Sequence, residues 1–210
     1  MIRLTGFIRK FLIRFFDILL SLAGLILLLP FLILISLAIL ADFSGPVIFR
    51  QTRVGKNNID FTLLKFRTMH IGSDKKGLIT IGRQDQRVTS IGKFLRKFKL
   101  DELPQLFNVL SGDMSIVGPR PEVRHYTKLY SPAAQMIILS VKPGITDNAS
   151  IEFSNENELL SKANDPERYY IEEIMPIKIR LNMIYIENLT FGNYLRILFK
   201  TVGKVLSGRG

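Results

Sequence analysis

Hydrophobic and polar positions divide this chain unevenly. From Ile18 to Ala41 no side chain carries a charge, and Asp17 and Asp42 close the run at its two ends. A bilayer core needs roughly 20 consecutive apolar residues, so the run predicts a membrane helix. It is too long for a cleavable signal peptide, and no small-x-small site follows it. Ahead of it, residues 1–17 mix Arg3, Arg9, Lys10 and Arg14 with Phe7, Ile8, Phe11, Leu12, Phe15 and Phe16. That is an amphipathic lead-in whose cations can reach lipid phosphates. Pro30 removes a backbone hydrogen bond in mid-run and predicts a break. Basic residues flank both ends, Arg9, Lys10 and Arg14 before and Arg50, Arg53 and Lys56 after, which disfavours translocating either flank. A broken helix that dips in and returns satisfies this; a crossing helix can also carry a proline kink, but it must translocate one basic flank.

The pattern changes after the turn-rich boundary Asp42–Pro46. Val47–Gln51 and Phe61–Phe66 read as two strands, with Gly55-Lys56-Asn57-Asn58 as the hairpin turn. Alternation sends Lys65 and Arg67 to one face, either into a site or to solvent. His70 to Gln86 is polar and glycine-punctuated, a predicted loop. Arg87–Phe98 then carries Ile91, Phe94, Leu95 and Phe98 at helical spacing, with Lys93, Lys97 and Lys99 as solvated cations or interfacial anchors. Glu122–Leu139 reads as helical around a break at Ser131-Pro132, Val141–Thr146 as a turn or short strand, and Ser161–Pro166 as a loop. Asp165-Pro166 caps a helix running to about Glu187. In the tail, Arg196, Lys200 and Lys204 oppose Leu195, Leu198, Phe199, Val202 and Leu206, a helix lying at a membrane interface or docked on the domain. The fold class expected is α+β, mostly helical. Residues 1–44 form a membrane segment and residues 45–210 a compact domain with a β-hairpin and amphipathic helices.

The chemistry concentrates between Leu100 and Pro121. Asp101 and Glu102 stand ahead of a short pattern in which Leu103, Leu106, Phe107 and Leu110 repeat at helical spacing. Pro104 fits only a first helical turn, which puts the acid pair near a helix N-terminus, where free N–H groups attract phosphate. Arg96 precedes the pair, and Arg120 is stiffened between Pro119 and Pro121. Phosphate chemistry around a carboxylate and a capped helix with solvated acids both fit these residues.

Composition narrows the field. The formal net charge of +11 calls for an anionic partner, and a mean hydropathy of +0.22 favours a membrane surface over nucleic acid. Without cysteine there are no disulfides or thiolate zinc sites, and His70 and His125 are too few for a histidine-built metal site, so any metal is oxygen-bound. The sequons Asn148-Ala-Ser and Asn188-Leu-Thr are too short to weigh.

In order along the chain stand the proline-interrupted membrane helix, Val47-Ile48-Phe49-Arg50-Gln51 through Arg53-Val54-Gly55, and Lys65-Phe66-Arg67-Thr68-Met69. They are followed by Ile91-Gly92-Lys93-Phe94-Leu95-Arg96, Leu100-Asp101-Glu102-Leu103-Pro104-Gln105, and Gly112-Asp113-Met114-Ser115 through Gly118-Pro119-Arg120-Pro121. Together these resemble the monotopic phosphoglycosyl transferases, bacterial sugar transferases that initiate glycan assembly. The resemblance implies transfer of a phospho-sugar from a UDP-sugar to polyprenyl (undecaprenyl) phosphate, with release of UMP. It implies Asp101 as the nucleophile that becomes a covalent aspartyl phospho-sugar, and Glu102 as the residue associated with Mg²⁺. Lys65, Arg67, Arg87, Arg96, Gln105, Pro119 and Arg120 would bind substrate. It also implies a re-entrant helix at Pro30, the bacterial inner (cytoplasmic) membrane with the catalytic domain on the cytoplasmic face, membrane lipids as partners, and no nucleic acid; a homodimer is left open. Many members continue Pro-Gly-Ile-Thr with Gly-Leu-Ala-Gln-Val-Asn-Gly, whereas this chain reads Asp147-Asn148-Ala149-Ser150-Ile151-Glu152-Phe153, so sugar identity cannot be borrowed. Two other readings are a non-enzymatic membrane-anchored module holding anionic lipid or nucleic acid, and direct glycosyl transfer releasing UDP.

Overall fold

The computed structural model describes residues 2–42, 44–73 and 85–207. Helix α1 spans Ile2–Asp42 and contains Pro30. Helical structure runs through the proline without interruption, which corrects the expected break: Pro30 sits inside one helix, not between two. One missing N–H leaves the ladder intact on both sides, and packing of residues on either side of the proline against the domain keeps both halves helical. Asp17, Ser21, Leu25, Ile35 and Ile39 are buried at helical spacing, while Leu22, Ile26, Leu27, Leu29, Ile33, Leu34 and Leu37 are exposed. One stripe of α1 therefore packs on the domain and the opposite face presents hydrocarbon. The helix is long and apolar enough to cross a membrane.

The lead-in does other work than expected. Arg9 donates to the Leu189 carbonyl at 2.7 Å, and Arg14 donates to those of Val109 and Leu110 at 2.6 and 2.9 Å. These two cations hold the domain instead of reaching lipid phosphates, because a guanidinium satisfies carbonyls left open at an element's end. Lys10 is exposed, and the side chain of Arg3 lies outside the described residues.

Strands β1 (Ile48–Val54) and β2 (Asp60–Phe66) pair antiparallel around a single 3₁₀ turn at Lys56–Asn58. Asn57 and Asn58 take φ of 58° and 63°, the left-handed region that asparagine tolerates, which is why this tetrapeptide signals a turn. Of the predicted loop His70–Gln86, residues 74–84 lie outside the described ones. Helix α2 spans Ser90–Lys97 and starts later than expected: Val88 bridges to Met69, and the Thr89 hydroxyl caps the helix by accepting from the Gly92 N–H at 3.0 Å. A 3₁₀ turn at Leu100–Glu102 leads into α3 (Gln105–Ser111), which ends at Gly112 with φ of 95°.

Strands β3 (Ser115–Val117) and β4 (Gly144–Thr146) form a parallel pair. Three residues are too few to show alternation, so β3 left no pattern to read. Between them α4 (Arg124–Thr127) and α5 (Pro132–Ile138) realise the break expected at Ser131-Pro132. Then come α6 (Asn148–Glu152), α7 (Glu156–Lys162), which takes in the start of the stretch read as loop, and α8 (Pro166–Tyr169). The helix expected to continue to Glu187 does so through a π-helical turn at Tyr170–Ile174 and α9 (Met175–Glu187). Pro176 accounts for the widening, since its ring cannot approach the carbonyl four residues earlier. Helix α10 (Phe191–Leu206) buries Tyr194 and Ile197 while Phe199, Val202 and Val205 face outward. Its docked face takes in Leu195 and Leu198 of the apolar set named from sequence but leaves Phe199 and Val202 outside, and Lys204 of the basic stripe donates to the Ile151 carbonyl.

The core is built where these elements meet α1. One cluster joins Leu63, Val109, Met114, Val117, Tyr185, Tyr194 and Ile197, with Ile13, Phe16 and Leu20 of α1 packed on it. Another joins Ile35 and Ile39 to Phe66 and Leu95, with Leu32, Leu100 and Leu103 alongside. The acid-bearing turn and α3 therefore lie along the membrane helix. Close approach of α2 to the end of β2 fixes the third side: a Cβ on Gly92 would stand 2.1 Å from the Thr68 carbonyl oxygen. Gly92→Ala is expected to destabilise the protein by about 1–3 kcal/mol, the usual cost of overpacking, read as a lowered thermal midpoint in detergent.

Candidate active site

Asp101 and Glu102 are both buried, at 7% and 9% exposure, in the 3₁₀ turn between α2 and α3. The turn follows Lys99, whose φ of 56° is left-handed. That conformation costs a lysine roughly 1 kcal/mol or more, and here it redirects the chain from α2 into the acid pair. Leu100 and Leu103 on either side pack towards Ile35 and Ile39 of α1, so the pair is held from both ends.

The two carboxylates differ in environment. Glu102 is fully engaged: Arg120 Nη1 donates to Oε2 at 3.2 Å, Arg120 Nη2 donates to Oε1, and Lys65 Nζ stands 3.4 Å from Oε1. Burial alone would raise its pKa, but Arg120, Lys65 and the hydrogen bonds outweigh it and hold the carboxyl well below the usual range. Asp101 accepts no hydrogen bond among the described residues. Burial and the neighbouring Glu102 charge push its pKa up, opposed by Lys65, Arg96 and Lys99. The pair is thus a neutralised, rigid glutamate beside a desolvated aspartate with free lone pairs.

The cations come from separate elements. Lys65 lies on β2 and its pKa is lowered, by burial first, with Glu102 opposing. Arg96, in the last turn of α2, donates from Nε to Thr68 Oγ1 at 2.8 Å, and burial lowers its pKa too. Arg120 follows β3; the Glu102 charge raises its pKa, and its backbone N–H donates to Asp147 Oδ2 at 3.1 Å. Asp147 is wholly buried and also accepts from the Ser150 N–H at 2.6 Å. The prolines around Arg120 contribute through their carbonyls: Pro119 accepts from the Gly144 N–H at 2.9 Å and Pro121 from Arg53 Nη1 at 2.9 Å. Gln105, in the first turn of α3, is buried with its Nε2 lacking a hydrogen-bond partner among the described residues.

Comparison with known proteins decides what this constellation belongs to. The bacterial sugar transferase family matches residues 8–208. The chain belongs to that family. A UDP-N-acetylgalactosamine-undecaprenyl-phosphate N-acetylgalactosaminephosphotransferase of Aeromonas hydrophila is 36% identical over 205 residues, 97% of this chain and 45% of the relative. A UDP-glucose:undecaprenyl-phosphate glucose-1-phosphate transferase of Klebsiella pneumoniae is 39% identical over 194 residues, 91% of this chain and 39% of the relative. An uncharacterised sugar transferase of Bacillus subtilis is 39% identical over 180 residues, 85% of this chain and 80% of the relative. This family member therefore spans less than half the length of the first two.

Of the residues named from sequence, Lys65, Arg96, Asp101, Glu102 and Arg120 act on one another electrostatically. Arg67 sends Nη1 to the Ser44 carbonyl at 3.2 Å, at the junction of α1 and β1. Arg87 binds Asp85 through Nε and Nη2, at 2.9 and 2.6 Å, and both residues act on Arg96. Sequence reasoning missed Asp147 as a partner of Arg120, although an aspartate three residues before Ser150 is an N-cap signal. It also missed Arg53, whose Nη1 donates to the Pro121 carbonyl and stands 3.8 Å from the Glu122 carboxylate; from sequence it was a cation of the basic flank after the apolar run.

A carboxylate attacks only when ionised, and the pKa of Asp101 is raised, so a turnover that uses this carboxylate as nucleophile is expected to fall with acidification at a pH above the ordinary aspartate range. Arg96→Gln removes an opposing charge, so the acid limb of the kcat/KM profile should move further up; a limb left in place would break the link between Arg96 and Asp101.

Proposed function

We propose that this protein is a membrane-associated phosphoglycosyl transferase that moves a phospho-sugar from a UDP-sugar to polyprenyl (undecaprenyl) phosphate. The observation that carries the reading is the asymmetry of the acid pair, one carboxylate locked by Arg120 and Lys65 and the other desolvated and unbonded. An Asp101 oxygen attacks the sugar-bearing β-phosphorus and forms an acyl phosphate, while the bond to the bridging oxygen breaks and UMP departs. A phosphate oxygen of the lipid then attacks the same phosphorus, the aspartyl bond breaks, and the carboxylate is regenerated with the lipid diphospho-sugar as product. Phosphoryl transfer depends on positioning and charge neutralisation, which Arg96, Lys65 and Arg120 supply around the phosphates. Gln105 offers its unpartnered amide to a substrate oxygen.

The donor set suits a hard cation. Mg²⁺ binds through one or two carboxylates plus substrate phosphate oxygens, and the adjacent acids, one of them unbonded, fit that better than an all-protein cage, for which no group of three acidic, His or Cys side chains exists among the described residues. Glu102 would hold it with the donor diphosphate only as Arg120 and Lys65 pass from its oxygens to the donor's phosphates, and when bound it would spread the charge that develops on the leaving UMP. That α1 stays with one membrane face is supported by its tethers: Asp17 accepts from Ser115 Oγ and the Ile116 N–H, and Asp42 accepts from the Ile91 N–H at 3.2 Å, so both ends of the charge-free run grip one domain. In the bacterial inner membrane, with that domain on the cytoplasmic side, the acid pair meets the lipid phosphate at headgroup level.

Asp101→Asn is expected to abolish UMP release and the transfer of label from UDP-sugar to protein; an active Asp101→Asn enzyme rejects the mechanism, and UDP as product would point to direct glycosyl transfer. Arg120→Gln is expected to lower kcat about 10²–10³-fold, the usual cost of losing one preorganised donor, measured as UMP release with undecaprenyl phosphate as acceptor.

A further inference from the structure

One turn of the membrane helix reaches both halves of the site. Arg14 and Asp17 stand three residues apart in α1, on one face. Arg14 binds the carbonyls of Val109 and Leu110 at 2.6 and 2.9 Å, near the end of α3, the helix whose start carries Gln105 and follows the acid pair. Asp17, 1% exposed, accepts on a single oxygen from Ser115 Oγ at 3.0 Å, the Ile116 N–H at 2.9 Å and the Tyr194 hydroxyl at 2.9 Å. Ser115 and Ile116 lie on β3, which leads through Gly118 and Pro119 to Arg120.

Little slack remains along either route. A Cβ on Gly118 would stand 2.6 Å from the Lys142 carbonyl oxygen, and one on Gly144 would stand 2.1 Å from the Gly118 nitrogen, so the chain between Asp17 and Arg120 is pressed against β4. Arg120 is then pinned by Asp147 through its backbone N–H. On the other route α3 is a rigid helix whose close neighbour on α1 is Gly24, where a Cβ would be 3.3 Å from Leu106. A carboxylate buried this deeply persists only because three donors meet it, and two of them belong to β3, the strand that leads to Arg120, while the third is Tyr194 of α10.

We propose that Arg14 and Asp17 are positioning residues that set the spacing between Asp101–Glu102 and Arg120, so that the membrane helix holds the reaction's nucleophile and its principal cation in register. The inference rests on the phosphoglycosyl transferase reading. A shift of Arg120 relative to the acids weakens charge stabilisation at the transferring phosphorus more than it weakens ground-state binding of the donor, so the effect falls on kcat.

The full chain in detergent is assayed for UMP release from a UDP-sugar with undecaprenyl phosphate, with the folded fraction measured by circular dichroism and thermal melting. Asp17→Ala is expected to lower kcat per folded molecule tenfold or more with donor KM within threefold, while Asp17→Asn, which keeps an acceptor oxygen, loses less than threefold. Arg14→Ala should also act on kcat, and the double variant should be no more than twofold worse than the poorer single one, because both residues serve one spacing. Unchanged kcat in Asp17→Ala, losses that multiply in the double variant, or a loss explained wholly by the folded fraction would each overturn the proposal. Should Asp17→Ala not fold, Ser115→Ala and Tyr194→Phe each delete one donor, and normal kcat in both overturns it equally. A wild-type chain that releases no UMP counts against the proposed reaction instead, and leaves the two failures distinguishable.

Discussion

Everything in this site depends on a charge that is neutralised before substrate arrives. Glu102 is buried, and a lone carboxylate there would protonate or force the turn open. Arg120 and Lys65 reach it from the segment after β3 and from β2, far apart in the chain, and in doing so place two cations beside the acid pair. The neighbouring Asp101 pays no such debt to hydrogen bonding and keeps its lone pairs available. A single ion-pair cluster thus fixes the fold around the 3₁₀ turn and separates the roles of two adjacent acids, although their side chains differ by one methylene.

The same arrangement explains why the domain is small and yet rigid where it matters. Close backbone contacts hold the elements around the site: Gly92 lies against Thr68, and Gly118 against Lys142 and Gly144. These contacts leave no room for side chains, so the backbone itself is the framework. Phosphoryl transfer needs that kind of preorganisation, since the protein contributes geometry and charge and little covalent chemistry.

Much of this was legible in the sequence, and the limits have physical causes. The charge-free run, the hairpin with its two asparagines, and the acid pair ahead of Pro104 are local signals, and each appears where its residues predict it. Arg96, Arg120 and Lys65 were named as cations near phosphate, but that Arg120 and Lys65 share Glu102 is a tertiary fact with no periodicity to betray it. Strand β3 was invisible because three residues carry no alternation. Arg9 and Arg14 read as lipid-facing because sequence shows their charge and not the open carbonyls waiting at Leu189, Val109 and Leu110. Pro30 read as a break because a proline's local cost is known from sequence, whereas the packing that absorbs it is not.

The division of α1 into a docked stripe and an outward apolar face separates two selection pressures on one helix. The inner positions, among them Asp17, Ser21, Ile35 and Ile39, are constrained in shape by the domain they touch. The outer ones, among them Leu22, Ile26, Leu29 and Leu37, need only be hydrocarbon. Hydrophobic mismatch costs fractions of a kcal/mol per ångström, so a lineage can retune the outer surface to a thicker or thinner bilayer by small substitutions. The catalytic geometry on the inner side would pass through such adaptation untouched.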